Sequence, residues 1–132
     1  MTIETGIERL AALSFIIVGL SHITAPRAWT RFFIDMRGAG EAAGLLNAYV
    51  HMPLGVLIVA FHPVWEGPAL LVTLVGWALT MKGALYFLWP AFGERSMARV
   101  TEERGWQFRV AGAFALSLGL AIGWVALGAP GT

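Results

Sequence analysis

Five polar side chains stand inside or at the ends of long apolar stretches, and their types suit proton transfer or anion binding. They are His22, Asn47, His51, Lys82 and Tyr86. An ammonium group at the centre of a bilayer costs about 2.5–3.5 kcal/mol on insertion scales, so such a residue is a functional candidate. If the faces that carry them converge, these residues predict a polar pocket that opens at one membrane surface.

Lys82 has two interpretations. Its four-carbon side chain can extend towards the headgroups, as lysines near the ends of spanning helices do. Alternatively, its ammonium group contacts a partner protein or binds an anion, such as a lipid phosphate, a quinone oxygen or a substrate. Glu8 stands at the very start of the first apolar stretch, and we count it with the charged flank. We therefore expect no carboxylate deeper inside the stretches, so the sequence predicts no lysine–carboxylate proton relay within one chain.

His51 also has two interpretations. A single histidine in a membrane helix most often hydrogen-bonds a neighbouring helix. The alternative is axial ligation of haem or of a chlorophyll-type pigment, and His22 and Met52 are poor second ligands for a haem. The sequence contains no cysteine and shows no metal-ligand spacing, nucleophile–base pair, phosphate loop or paired carboxylates. We therefore predict no catalytic residue, no metal site and no cofactor other than a pigment or haem at His51.

Four apolar stretches must position these side chains. They cover approximately residues 7–24, 43–61, 68–89 and 107–127. About 20 apolar residues in a helix span the hydrocarbon core of a bilayer. Of the 132 residues, 58% are hydrophobic and 13% are charged, which is too little charge to cover a water-soluble domain. The sequence predicts an all-α multi-pass membrane protein, with four transmembrane helices in one domain over 1–132.

The distribution of basic residues predicts the orientation. Seven of the nine flank the same side, namely Arg27, Arg31, Arg37, Arg95, Arg99, Arg104 and Arg109. The positive-inside rule places them in the cytoplasm and both termini outside, in a bacterial inner membrane. The net charge of +1 gives no reason to expect nucleic acid.

Two features near the other membrane surface complete this topology. The first apolar stretch is preceded by Glu4, and it carries Glu8 beside Arg9. Because a secretory signal begins with a positively charged region, we expect this stretch to be retained as a helix. The hairpin "HPVWEGP" has the prolines and the glycine of a tight reversal, and we predict His62 to be a solvated turn residue.

Both long loops predict short helices in the headgroup plane. In "PRAWTRFFIDMR" one face is aromatic and the opposite face is basic. The interfacial residues are Arg27, Trp29, Arg31, Phe32 and Phe33. The second loop, "PAFGERSMARVTEERG", is a weaker version. Linkers bound to the lipid bilayer are the first interpretation, and docking of a partner or of a specific lipid is the alternative.

The fourth apolar stretch carries small residues at a strict spacing of four. They are Ala111, Ala115, Gly119 and Gly123. Small residues at this spacing let another helix backbone approach closely. The stripe predicts packing inside its own bundle or on another membrane protein, and a homodimer is one form of the second alternative.

The chain also resembles itself, in units of about 7–61 and 68–127. A shift of 64 residues pairs Gly19 with Gly83, Pro26 with Pro90 and Arg31 with Arg95. Each unit holds two helices, so both units insert the same way round. We predict a parallel repeat about an axis along the membrane normal.

The second unit resembles a known family. Residues 81–124 are similar to YjeT-like small bacterial inner-membrane proteins through Gly83, Pro90, Arg95 and the Gly119 region. Members are two-helix proteins whose first helix ends in a Gly-Leu-(apolar)-Pro phrase, followed by an Arg-rich link. The phrase "GLSHITAPRAW" is more loosely similar to DoxX-like four-helix membrane proteins. Neither resemblance implies an active site.

Three functions follow from these features. The first is a non-catalytic accessory or structural subunit of a larger bacterial membrane complex of respiratory or photosynthetic type, with other membrane subunits as partners. The alternative is a small homo-oligomeric transporter or channel for an anion or quinone-like molecule that uses a His51–Lys82 pocket. The third is a pigment- or haem-binding membrane protein with His51 as the ligand. In none of them is the chain an enzyme.

Overall fold

A computed structural model describes residues 1–128, and these form helices joined by short connections. The helices are α1 (Ile3–Thr24), α2 (Pro26–Arg37), α3 (Glu41–Phe61), α4 (Leu70–Leu88), α5 (Pro90–Met97) and α6 (Trp106–Gly128), with one 3-10 turn at Glu102–Arg104. Four of them, α1, α3, α4 and α6, are long and apolar enough to cross a membrane. The predicted all-α fold, with four helices long and apolar enough to span a membrane, is confirmed.

The four long helices run alternately up and down. The principal packing is between α1 and α6 and between α3 and α4. One end of the bundle, called here the arginine end, carries α2, α5 and the segment 98–105. The opposite end, called the hairpin end, carries residues 62–69, in which Gly67 has a φ of 64°. Because other residues rarely adopt this left-handed conformation, glycine suits that position.

Glycines bring both helix pairs to backbone contact. A Cβ atom added at Gly19 would lie 2.5 Å from the Leu116 nitrogen, and one added at Gly83 would lie 2.5 Å from the Met52 Cβ. A second crossing in each pair is made by Gly119 beside Ile16 and by Gly55 beside Thr80. The contact residues of the two helix pairs are related by a shift of 64 positions, as Gly19 is to Gly83 and Leu116 is to Met52.

The buried apolar cluster lies towards the hairpin end. Its members come from all four long helices and are Ile7, Ala11, Ala12, Ile58, Val72 and Ile122. Large apolar side chains such as Phe114, Trp124 and Leu127 are instead exposed on the outside of the bundle. This distribution is the one expected where lipid, which is as apolar as leucine, surrounds the helices.

Helix α2 packs its aromatic face onto the bundle. The Trp29 ring stacks on His22 with ring centroids 4.1 Å apart, and Phe33 stacks on Phe108 at 5.6 Å. The indole N–H of Trp29 also donates to the Ser21 hydroxyl at 2.9 Å. Three of the predicted interfacial residues, Arg27, Arg31 and Phe32, are exposed on this helix.

The packing face of α6 differs from the predicted stripe. Gly119 contacts α1, and a Cβ added at Gly123 would lie 3.7 Å from the Ala12 Cβ. Ala111 is exposed and Ala115 is half-buried. The buried residues of α6 are Gly112, Gly119, Ile122 and Ala126. Their spacing of three, four and seven follows the helical period more closely than a strict spacing of four, so the predicted stripe starts one residue off the contact face.

Candidate functional site

His51 and Lys82 meet on the flank formed by α3 and α4. The Lys82 Nζ lies 3.3 Å from the His51 Nε2. The other ring nitrogen, Nδ1, lies 2.8 Å from the backbone carbonyl oxygen of Asn47. A carbonyl oxygen only accepts, so Nδ1 carries the hydrogen and Nε2 of the neutral ring is the acceptor for the ammonium group.

The ammonium group of Lys82 is held on the outer surface of the bundle. It lies 5.7 Å from the centroid of the Tyr86 ring, within the range of a cation–π contact. Tyr86 is buried and donates its hydroxyl to Ser96 of α5 at 3.3 Å. Lys82 itself is exposed. Because α4 ends six residues later, the lysine backbone lies about 9 Å from that helix end.

The hydrogen-bonding capacity of Lys82 is only partly used. An ammonium group has three donors, and among residues 1–128 its one hydrogen-bond partner is His51. No carboxylate of the described chain lies within ion-pair distance of it. A cation with free donors therefore faces outward from an otherwise apolar helix surface.

Four of the five residues predicted for the polar pocket come together here. Asn47 contributes its backbone carbonyl, and His51, Lys82 and Tyr86 contribute side chains. His22 lies elsewhere, because its Nδ1 bonds the Val18 carbonyl oxygen at 2.8 Å and its ring stacks on Trp29. This group is an exposed cluster on the α3–α4 flank.

A second polar cluster, which the sequence did not predict, lies at the hairpin end. Glu8 of α1, His62 after α3 and Thr73 of α4 are 5%, 0% and 1% exposed. The His62 Nε2 lies 3.0 Å from the Glu8 Oε1, and its Nδ1 lies 3.0 Å from the Thr73 Oγ1. The prediction that His62 is a solvated turn residue is wrong, because its ring is enclosed by three helices.

The hydrogen bonds of this cluster limit where its protons lie. The Thr73 hydroxyl is 2.6 Å from the Val64 carbonyl oxygen and 3.0 Å from that of His62. Its single proton points to a carbonyl, so the His62 Nδ1 must be the donor to the Thr73 oxygen. The bond between His62 Nε2 and Glu8 then contains one proton, as an imidazolium–carboxylate pair or as a neutral imidazole with a protonated carboxyl.

Glu8 also corrects the expectation that the apolar stretches hold no carboxylate. Helix α1 begins at Ile3, so Glu8 lies a full turn inside it. It shares a face with Ala11 and Ala12, which are buried three and four residues later. This spacing of three and four residues was the signal in the sequence that Glu8 lies on the buried face. One carboxylate oxygen, Oε2, is buried with no hydrogen-bond partner among the described residues.

The fit of a pigment or haem at His51 is poor in this arrangement. The bond from Nδ1 to the Asn47 carbonyl is the kind that orients metal-ligating histidines. However, the ligating atom Nε2 faces the Lys82 ammonium group at 3.3 Å, and a cation there opposes a metal ion. Across residues 1–128, no group of three or more histidine or carboxylate side chains is placed to hold a metal ion.

Comparison with family models, curated proteins and solved structures found no match to the chain. The resemblance to YjeT-like and DoxX-like proteins therefore stays a prediction.

Proposed function

We propose that this chain is a non-catalytic integral subunit of a larger bacterial inner-membrane assembly. In this proposal a transmembrane helix of a partner protein binds over the α3–α4 flank and brings an acceptor, such as a carboxylate, to Lys82. The arginine end faces the cytoplasm and both termini face outward, following the positive-inside rule. The observation that carries the proposal is the exposed ammonium group of Lys82, whose hydrogen-bond partner in residues 1–128 is His51 alone.

The energies favour a partner at this position. A lysine in the bilayer costs about 2.5–3.5 kcal/mol at the midplane. A hydrogen bond to a charged group contributes about 1.5–3 kcal/mol, so one acceptor on a partner offsets much of that cost. A carboxylate acceptor has an insertion cost of its own, which the same pairing reduces. The neighbouring side chains Val50, Met81 and Leu85 are exposed and apolar, and they would surround the polar contact with helix–helix packing.

The small residues of α6 do not compete for this role. Gly112 and Gly119 pack against α1 within the chain, so the residues of α6 that allow the closest helix approach are already in contact with another helix. The α3–α4 flank remains as the surface with an unmet polar requirement. This supports placing the partner beside Lys82.

The glycine crossings support an internal repeat. The repeat allows the flank that carries Lys82 to be compared with the equivalent flank of the other helix pair. Under the 64-residue shift, Lys82 corresponds to Val18 and His51 corresponds to Ala115. The polar pair therefore occurs in one helix pair and has apolar counterparts in the other. A polar pair confined to one of two similar flanks suits one-sided docking of a partner.

The experiment is a mild-detergent extraction of the tagged chain from its native membranes. Size and co-purifying proteins are read on the same chromatographic peak. The proposal expects a particle well above the 14.2 kDa of one chain, with companions in fixed ratio. A monomer or dimer without companions would contradict it.

A second candidate function is a small homo-oligomeric transporter for an anion or quinone-like molecule. The observation that favours it is the Glu8–His62 proton site at the hairpin end, because His51 lies at the middle of α3 and Lys82 lies nearer the arginine end. His51 and His62 are eleven residues apart, or about 16 Å along α3. Proton-coupled flux in proteoliposomes that Glu8→Gln abolishes would support this function. Wild-type flux no greater than that of empty liposomes would exclude it, and equal flux in both proteins would exclude a role for Glu8 in it.

A further inference from the structure

A charged cavity lies at the arginine end, between α2 and the start of α6. Its volume is about 400 Å³. The side chains that matter for its chemistry are Pro26, Arg27, Arg31, Glu102, Trp106 and Arg109. None of them belongs to the Lys82 cluster or to the Glu8 cluster, so the cavity is independent of the function proposed above.

The charge in this cavity is unbalanced. Three arginines line it against one acid, Glu102. Within residues 1–128 no carboxylate lies within ion-pair distance of Arg27, Arg31 or Arg109. Arg109 also stands in the first turn of α6, where the helix dipole disfavours a cation. The cavity therefore concentrates positive charge that the described chain leaves uncompensated.

The chain holds the walls of this cavity in place. Thr30 is buried on α2 and donates its hydroxyl to the Pro26 carbonyl oxygen at 2.8 Å. A Cβ atom added at Gly105 would lie 3.1 Å from that hydroxyl oxygen, so α2 approaches the segment before α6 closely. The guanidinium group of Arg37 donates to the Val100 carbonyl oxygen at 3.1 Å and fixes the far end of α2 to the same segment.

We propose that this cavity binds a phosphate-bearing anion. Guanidinium groups bind phosphate oxygens with paired, charge-assisted hydrogen bonds, and three of them can share one phosphate group. Pro26 and Trp106 give the cavity an apolar wall beside the arginines. Two sources have this chemistry, the headgroup of an anionic lipid and a free small phosphate.

The competing explanation is diffuse attraction between interfacial arginines and the membrane surface. Arg99 provides the matched control, because it is exposed at the same end and does not line the cavity. If the cavity is a specific site, removing the charge of Arg31 or Arg109 must weaken lipid binding much more than removing the charge of Arg99. If the attraction is diffuse, removing any one of the three charges must weaken lipid binding by the same amount.

The test uses the full chain, purified in a non-ionic detergent and freed of lipid. Native mass spectrometry follows its titration with phosphatidic acid, phosphatidylglycerol and phosphatidylcholine, with inorganic phosphate as a competitor. We expect one anionic lipid to bind saturably. Arg31→Gln and Arg109→Gln should each weaken binding about tenfold, as for one lost charge-assisted hydrogen bond, and Arg99→Gln less than about twofold.

Each of the other outcomes either supports or overturns the proposal. Retention of lipid in excess inorganic phosphate identifies a headgroup site, and displacement by inorganic phosphate identifies a site for a free phosphate; both support the proposal. Equal losses in Arg31→Gln and Arg99→Gln would overturn it. Equal affinity for phosphatidylcholine and the anionic lipids would also overturn it, and so would the absence of saturable binding by the wild-type chain. The thermal unfolding transition shows independently that the wild-type chain is folded.

Discussion

The imidazole of His62 lies 3.0 Å from the carboxylate of Glu8, although 54 residues separate them in the chain. This bond joins the start of α1 to the end of α3, two helices that otherwise make few contacts. Thr73 extends it to α4. The cluster therefore ties the two helix pairs together at the hairpin end, beside the buried apolar cluster.

Removing the Glu8 carboxylate should destabilise the bundle. Glu8→Ala leaves the His62 Nε2 buried without a partner, at a cost of about 1–3 kcal/mol. Glu8→Gln keeps an amide group that can donate to that nitrogen or accept from it, and should cost less. The midpoint of thermal unfolding in detergent measures both changes. Ile3→Ala, an exposed position on the same helix, is the control, and an equal loss in Ile3→Ala and Glu8→Ala would contradict the structural role of the pair.

Adding one methyl group at Gly19 should separate α1 from α6. The new Cβ would meet the backbone of Leu116, and a forced backbone shift costs about 1–3 kcal/mol. Gly6 is the matched control, since it lies on the same helix and nothing stands within 4 Å of an added Cβ. Gly6→Ala should stabilise the helix by up to about 1 kcal/mol. Unfolding midpoints that fall equally for both variants would show that the crossing is not tight.

Arg37 should control the mobility of the segment after α5. Its guanidinium group donates to the carbonyl oxygens of Ala98 and Val100. Arg37→Gln removes both contacts, so hydrogen exchange across residues 98–105 should accelerate about fivefold to tenfold, the effect of about 1 kcal/mol. Arg99→Gln should leave that exchange unchanged. Unchanged protection in Arg37→Gln would show that this segment is held by other contacts.

Lys82→Met should separate the two interpretations of this lysine. Methionine keeps the length and removes the charge, so membrane insertion should improve and the unfolding midpoint should stay or rise slightly. Under the proposed function, the same variant should lose its co-purifying proteins. Full retention of the companions by Lys82→Met would mean that the lysine extends to the headgroups and carries no docking role.

The sequence predicted the spans well, because membrane helices are recognised by length and apolar composition, which are local properties. It also gave His51 and Lys82 a similar depth, since depth along two antiparallel helices follows from residue counting. Whether their faces converge could not be predicted in this way, because that depends on the rotation of each helix. It missed the Glu8–His62 bond because charges near a helix start are typical of an exposed interface. Burial of Glu8 depends on which face of α1 meets α3 and α4.

The α6 face shows a second limit of sequence reasoning. Ala111 and Gly112 are both small, so a pattern of small residues along α6 accepts either as the contact residue. The contact residue is determined by α1, because Gly19 lies opposite Gly112 and this contact fixes the rotation of α6 about its axis. That relationship lies between two helices that are distant in sequence, and a pattern read along one helix cannot contain it.

Under the proposed function, a partner protein binds over the α3–α4 flank beside Lys82. A photoreactive amino acid placed at Met81, irradiated in native membranes, tests it most directly. Phe114 is the control position, because it has similar exposure on the outside of α6. The account predicts a protein crosslink from position 81 to a different chain, and lipid adducts alone from position 114. Lipid adducts alone at both positions, or a crosslink from position 81 to a second copy of this chain, would contradict the subunit proposal.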